Sequence, residues 1–224
     1  MKKMRIKRSL LLFVLAVAAL VTTTVPAHAT FIKDLNVLDP APVGDRLFLE
    51  KNDVGANSFS GFVGAQSSGP KVDAIANVNV TTGSGWANIK PDKDATLTVL
   101  TFTPDIANTT KFSDFSFRAQ LLWDVNDHNI GKVDVIVTDQ NNLDSTIHFT
   151  GLKGPNADFD VIGVVSIDDE WIKSVQIRTI DVSEGNSESF KEVKQVSFSS
   201  VPEPSTFLLL GAGLGGLWIW RRRK

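Results

Sequence analysis

The chain has 224 residues, with 23 Lys and Arg against 25 Asp and Glu and a formal net charge of -2. The charges are segregated: residues 1–29 hold five Lys/Arg and no acid, residues 201–224 hold four Lys/Arg and one Glu, and the 30–200 span keeps 14 basic and 24 acidic residues, net -10. A middle that acidic excludes nucleic acid as a partner, because phosphate contacts need clustered Lys and Arg. The lack of Cys excludes disulfides, thiolate metal sites, Cys nucleophiles and a Cys-linked lipid anchor.

The N-terminus has the three parts of a secretory signal. Lys2, Lys3, Arg5, Lys7 and Arg8 form a basic region, and Leu10 to Val21 is an apolar run of 12 residues. Ala27-His28-Ala29 places small residues where signal peptidase needs them, at Ala27 and Ala29. Residues 1–29 therefore read as a signal peptide cut after Ala29. The run is too short for a permanent membrane helix. The chain is expected to cross the inner membrane.

Residues 30–200 read as a single all-β ectodomain. No sustained 3.6-residue period is present, whereas period-2 alternation recurs. Residues 30–56 show sparse periodicity and read as an extended arm or irregular cap. Strands are predicted at 58–65, 74–81, 84–90 and 96–103. In 115–123, one face collects Phe115, Phe117, Ala119, Leu121 and Trp123. In 132–138 the valines share a face, followed by the turn Asp139-Gln140-Asn141-Asn142 and a strand at 145–151. Phe159 to Ile167 is more continuously apolar and reads as a central strand. Asp168-Asp169-Glu170 then suggests a hairpin to 171–180, with Trp171, Lys173, Val175 and Ile177 on one face. A last strand is expected at 189–198. About ten strands at this spacing, without helix-length segments between them, indicate a β-sandwich or jelly-roll-like pair of sheets.

Chemistry is sparse in this span. Only His128 and His148 remain after signal removal, and neither H-E-x-x-H nor G-x-S-x-G occurs. The expectation is no enzyme, no catalytic residue and no required cofactor, with an extracellular hydrolase as a lesser alternative. The loop from Asp124 to Asn129 admits two readings. Asp124, Asn126 and Asn129 offer hard oxygen ligands of the kind calcium takes, or the loop is a polar hairpin turn stabilised by its own Asp and Asn side chains. Trp86 follows Gly83-Ser84-Gly85 and admits a rim position able to stack on a carbohydrate, or a core position.

The C-terminus reads Val201-Pro202-Glu203-Pro204-Ser205-Thr206, then an apolar stretch from Phe207 to Trp220, then Arg221-Arg222-Arg223-Lys224. Fourteen apolar residues as a helix span about 21 Å, short of the roughly 30 Å hydrocarbon core. The basic end is expected to stay cytoplasmic and orient the segment. Gly211-Ala212-Gly213-Leu214-Gly215-Gly216 matches a dinucleotide fingerprint by letter only, since no strand precedes it.

This tail, residues 201–224, resembles the PEP-CTERM sorting signal of Gram-negative bacteria. Val201 to Ser205, the short Gly-rich helix over 207–220 and the terminal Arg221 to Lys224 carry the likeness. The stretches Phe115 to Arg118, Trp171 to Ile180 and Phe190 to Val196 also look like the ectodomains that precede such tails. The resemblance implies recognition by an exosortase, a transient hold in the inner membrane and delivery to the cell envelope, surface or extracellular matrix. It further implies a structural or adhesive role linked to exopolysaccharide and biofilm. A carbohydrate- or calcium-binding β-sandwich module is the alternative, with exopolysaccharide as its partner.

Overall fold

The computed structural model describes residues 31–37, 41–50, 54–105, 107, 110–122, 131–152, 158–167, 170–180 and 188–200. The signal segment with Ala27 and Ala29, the loop bearing Asp124, Asn126 and Asn129, Trp123 and the 201–224 tail lie outside them.

Thirteen strands form among the described residues: β1 Phe31–Lys33, β2 Leu47–Leu49, β3 Val54–Val63, β4 Lys71–Thr82, β5 Gly85–Trp86, β6 Asn88–Pro91 and β7 Val99–Pro104. They continue with β8 Phe112–Leu122, β9 Gly131–Asp139, β10 Asp144–Leu152, β11 Asp160–Ser166, β12 Ile172–Thr179 and β13 Ser189–Ser200. Every pairing is antiparallel. No α-helix is present among these residues. The all-β expectation and the ten principal strand positions hold, and β1, β2 and the split of 84–90 into β5 and β6 supply the additional strands.

Hydrogen bonding runs β1-β11-β8-β13-β6-β4-β7-β12-β9-β10, with β3 beside β4, and β2 beside β3 and β5. The path curls into a barrel-like sandwich because β4 belongs to both halves. Its Val72 to Ala76 pair with β7, while its Val80 to Thr82 pair with β6, which leads to β13. A strand that switches sheets in this way turns the corner of a sandwich.

The core lies between the halves. Phe102 of β7 meets Phe115 of β8 at 5.6 Å between ring centroids and Phe198 of β13 at 6.3 Å. Phe198 also packs on Phe115 at 5.1 Å and Phe112 at 5.2 Å, and Phe115 on Phe117 at 5.5 Å. These tilted and edge contacts are the arrangements that aromatic quadrupoles favour. Val133, Val135 and Val137 point inward from β9 and are fully buried, as their alternation requires. Burying each contributes roughly 1.5–3 kcal/mol relative to exposure.

Three expectations are corrected. Residues 168–170 do not close a hairpin, because β11 pairs with β1 and β8 whereas β12 pairs with β7 and β9. β11 and β12 thus lie in different halves of the sandwich. β11 is not central, since only the three-residue β1 covers its far side, and Val161 and Ile167 are exposed. The face assignment of 171–177 also changes. A register shift between Ile172 and Ser174 lets Lys173 bulge, so Ile172 joins Val175 and Ile177 in the core while Trp171 is half-buried.

The N-terminal segment lies over the outer face of β11. A Cβ on Gly163 would sit 2.3 Å from Cγ2 of Val37, so only glycine admits this approach. Asp34 N–H donates to Gly163 O at 2.9 Å. Residues 31–37 of the predicted arm are thus a strap fastened to the sheet, whereas within the same 30–56 span Leu47–Leu49 is a paired strand with Leu47 and Leu49 in the core and Val54 begins β3.

Phe115→Ala should lower the unfolding free energy by about 3–5 kcal/mol, as large aromatic truncations in cores do. Ile75→Ala, at an exposed position, should change it by less than about 0.5 kcal/mol. Urea titration of the secreted domain checks both.

Candidate functional site

The strand that delivers the sorting segment is held along its whole length. β13 pairs with β8 from Ser189↔Leu122 to Ser200↔Phe112. Three register shifts interrupt the ladder, around Lys191, around Gln195 and between Ser199 and Ser200, and the first two bring Phe190, Val193, Val196 and Phe198 to the core. Gln195 adopts a left-handed backbone, φ 49°, in the second. Its N–H donates to Ala87 O at 2.9 Å, so the irregular stretch stays anchored. Val201, Pro202, Glu203, Pro204 and Ser205, and the orienting Arg221, Arg222, Arg223 and Lys224, follow outside the described residues.

Beside the end of β13 lies a cleft of about 280 Å³. Its floor is the outer face of β8 and β13. Ser116 and Ser197 pair across the strands, their hydroxyls 2.7 Å apart, and Asp114 stands opposite Ser199. The strap and the 3-10 turn Val43–Asp45 supply the wall, with Asp34 and Asp45. No described lining residue is cationic. Burial, with smaller contributions from the Asp34 and Asp45 carboxylates, pushes the Asp114 carboxyl above its usual range, while a hydrogen bond with Ser113 opposes the rise.

Trp86 is at the surface, 43% exposed. The core alternative is therefore overturned. Its strand is only two residues long, and the left-handed Gly85, φ 96°, precedes it. Phe48 is its cross-strand partner. The Arg46 guanidinium lies 3.7 Å from the ring centroid and donates from Nε to Ala41 O at 2.5 Å. One ring face is thus covered by a fixed cation, a cation–π contact.

His148, Asp134 and Arg178 form a row on the outer face of β10, β9 and β12. Asp134 is directly opposite both partners in register. Its Oδ1 is 2.5 Å from His148 Nδ1, and its Oδ2 accepts from Arg178 Nε at 3.1 Å and Nη2 at 2.8 Å. Asp134 is 2% exposed, His148 66% and Arg178 46%. The row is a hydrogen-bonded cluster, with an ion pair between Asp134 and Arg178, that tethers three strands. Its solvent-facing histidine agrees with the alternation. The sequence pattern gave no sign of the row, because its members are separated by 14 and 44 positions. Only the registers of β9 with β10 and β12 unite them.

Among the described residues no three His, Cys, Asp or Glu are placed to hold a metal ion. No described helix is long and apolar enough to cross a membrane, which leaves the 207–220 segment untouched because it lies outside these residues.

Residues 200–224 match the family model of the PEP-CTERM protein-sorting motif. No curated protein and no solved structure matches the chain. The motif implies recognition by an exosortase and export to the cell envelope or surface. It begins at Ser200, the last residue of β13.

Asp134→Ala leaves Arg178 without its carboxylate and should cost about 1–3 kcal/mol, read as a lower urea midpoint. Asp114→Asn should act in the opposite direction. A carboxyl raised in the folded state weakens folding wherever it ionises, and that penalty disappears once pH falls below its unfolded value, where both states hold the proton. The substitution should raise the melting temperature at pH 7 and leave it unchanged below about pH 3. Thermal unfolding across pH checks the sign.

Proposed function

We propose that the chain is the precursor of an exosortase-sorted β-sandwich protein. It is exported by residues 1–29, held briefly in the inner membrane by 207–220, and delivered to the cell surface or extracellular matrix. There the folded domain serves as a structural or adhesive component linked to exopolysaccharide and biofilm, without catalytic activity. The observation that carries this reading is the PEP-CTERM match over residues 200–224, directly after a folded all-β domain.

The chemistry of the tail supports the order of events. Proline at 202 and 204 disfavours helix at and before itself, so the motif is available to an enzyme as an extended segment. The 14 apolar residues that follow make a helix of about 21 Å, too short for a comfortable permanent span. Arg221 to Lys224 hold the cytoplasmic end in place until processing. After cleavage the domain needs nothing from the tail, because its core is closed by β13 itself.

A second reading is favoured by one observation. Trp86 stands exposed with Arg46 bracing one face, an arrangement that offers a rigid apolar plane for a sugar ring, with exopolysaccharide as ligand. The calcium reading of Asp124, Asn126 and Asn129 has no comparable support.

Intact-mass measurement of the mature protein from cells with and without exosortase tests the main reading. The expected product lacks residues 1–29 and the 207–224 region in the first and keeps the tail in the second. An intact tail in both would overturn the sorting mechanism. For the second reading, Trp86→Ala should weaken polysaccharide binding about three- to tenfold. Unchanged affinity in co-sedimentation would remove that site.

A further inference from the structure

The distance between the folded domain and the processing motif is the starting point. Ser200 is still paired, with Phe112. Pro202 is two residues on and Glu203 three. An extended chain covers at most about 3.6 Å per residue, so Glu203 cannot lie more than about 11 Å from Ser200. Fraying does not readily lengthen this tether, because Phe198 is fully buried against Phe102, Phe112 and Phe115. An enzyme that takes Pro202 to Pro204 into its active site must therefore touch the ectodomain around the end of β13.

That surface has a definite chemistry. Asp114, opposite Ser199, forms the part of the cleft floor nearest the exit, and Asp34 and Asp45 line the wall above it. Lys111, the cation next to this strand end in sequence, is turned toward the Trp171 ring at 5.8 Å. Arg46, which bridges to Ser197 through its backbone, has its guanidinium on Trp86 and donates to Ala41 O in the cleft wall, and is paired with none of the three carboxylates. The three carboxylates are not gathered into a metal cage. They are spread along a cleft, the layout that meets an extended basic surface rather than a single ion.

We infer that the end of β13, with Asp34, Asp45 and Asp114, is a docking face for the sorting enzyme, which meets it with cationic groups beside the site that takes the Pro-Glu-Pro segment. The domain is then part of the substrate rather than passive cargo. This inference rests on the exosortase reading above. Rim charges of this kind act mainly on the rate of productive encounter.

The test follows precursor loss by pulse-chase in the native host, using the full chain. Asp34→Asn, Asp45→Asn and Asp114→Asn combined should slow processing by about threefold or more. Asp114→Asn alone should slow it less. That single variant relieves a buried charge, so loss of folding does not account for its effect, and thermal unfolding of the secreted domain verifies the triple variant. Ten Gly/Ser residues inserted between Ser200 and Val201 should abolish the dependence on the three carboxylates. Equal processing of wild type and the triple variant at native spacing would overturn the docking face. So would an equal slowing in the spacer background, which would place the effect in folding or export, or a loss of self-association on neutralisation, which would assign the face to a second copy. If wild type itself keeps its tail with or without exosortase, the sorting reading fails instead, and the two failures are thereby distinct.

Discussion

Closure of β7 onto β8 and β13 by Phe102, Phe112, Phe115, Phe117 and Phe198 is the contact on which the molecule depends. These residues come from distant parts of the chain, and without disulfides no covalent link holds the halves together. Burial of large rings is the main favourable term left to oppose chain entropy. Because Phe198 is two residues before the end of β13, the same contact sets where the chain leaves the domain. Core packing and presentation of the tail are one structural fact.

A folded body directly beside a processing motif limits how the motif can be approached. A long linker would separate folding from processing. Here β13 stays paired to Ser200, and the matched motif starts at that residue. The sequence economy has a physical consequence: the strap and the acidic cleft lie beside the strand end at which the matched motif begins.

The outer faces are built differently from the core. Polar clusters there tie neighbouring strands together, as Asp134 does for β10, β9 and β12 and Ser116 with Ser197 does for β8 and β13. A buried carboxylate with two partners adds geometric precision, whereas Asp114, with acidic neighbours, stores an unfavourable charge next to the tail. Surfaces that retain such a charge are frequently ones that a partner relieves.

Much was legible in the residues themselves. The C-terminal sorting motif, the all-β character and the inward faces of β8 and β9 follow from local pattern. Charge, apolar length and period-2 alternation act over a few neighbouring positions. What the local pattern could not reveal are the features that depend on register and bulges. Phe190, Val193, Val196 and Phe198 reach one core only because β13 shifts register against β8 around Lys191 and again around Gln195. Ile172 enters the core only because Lys173 bulges, and 168–170 leads between sheets because β11 and β12 find other partners. The placement of Trp86 under Arg46, and of Asp34, Asp45 and Asp114 around the exit of β13, is likewise tertiary. The sequence by itself determined the sorting motif and the strands, because those are written in neighbouring residues. Only the tertiary structure decided which residues surround the end of β13, because a strand's partner and register are chosen by the total burial of the whole sheet, which no short segment encodes.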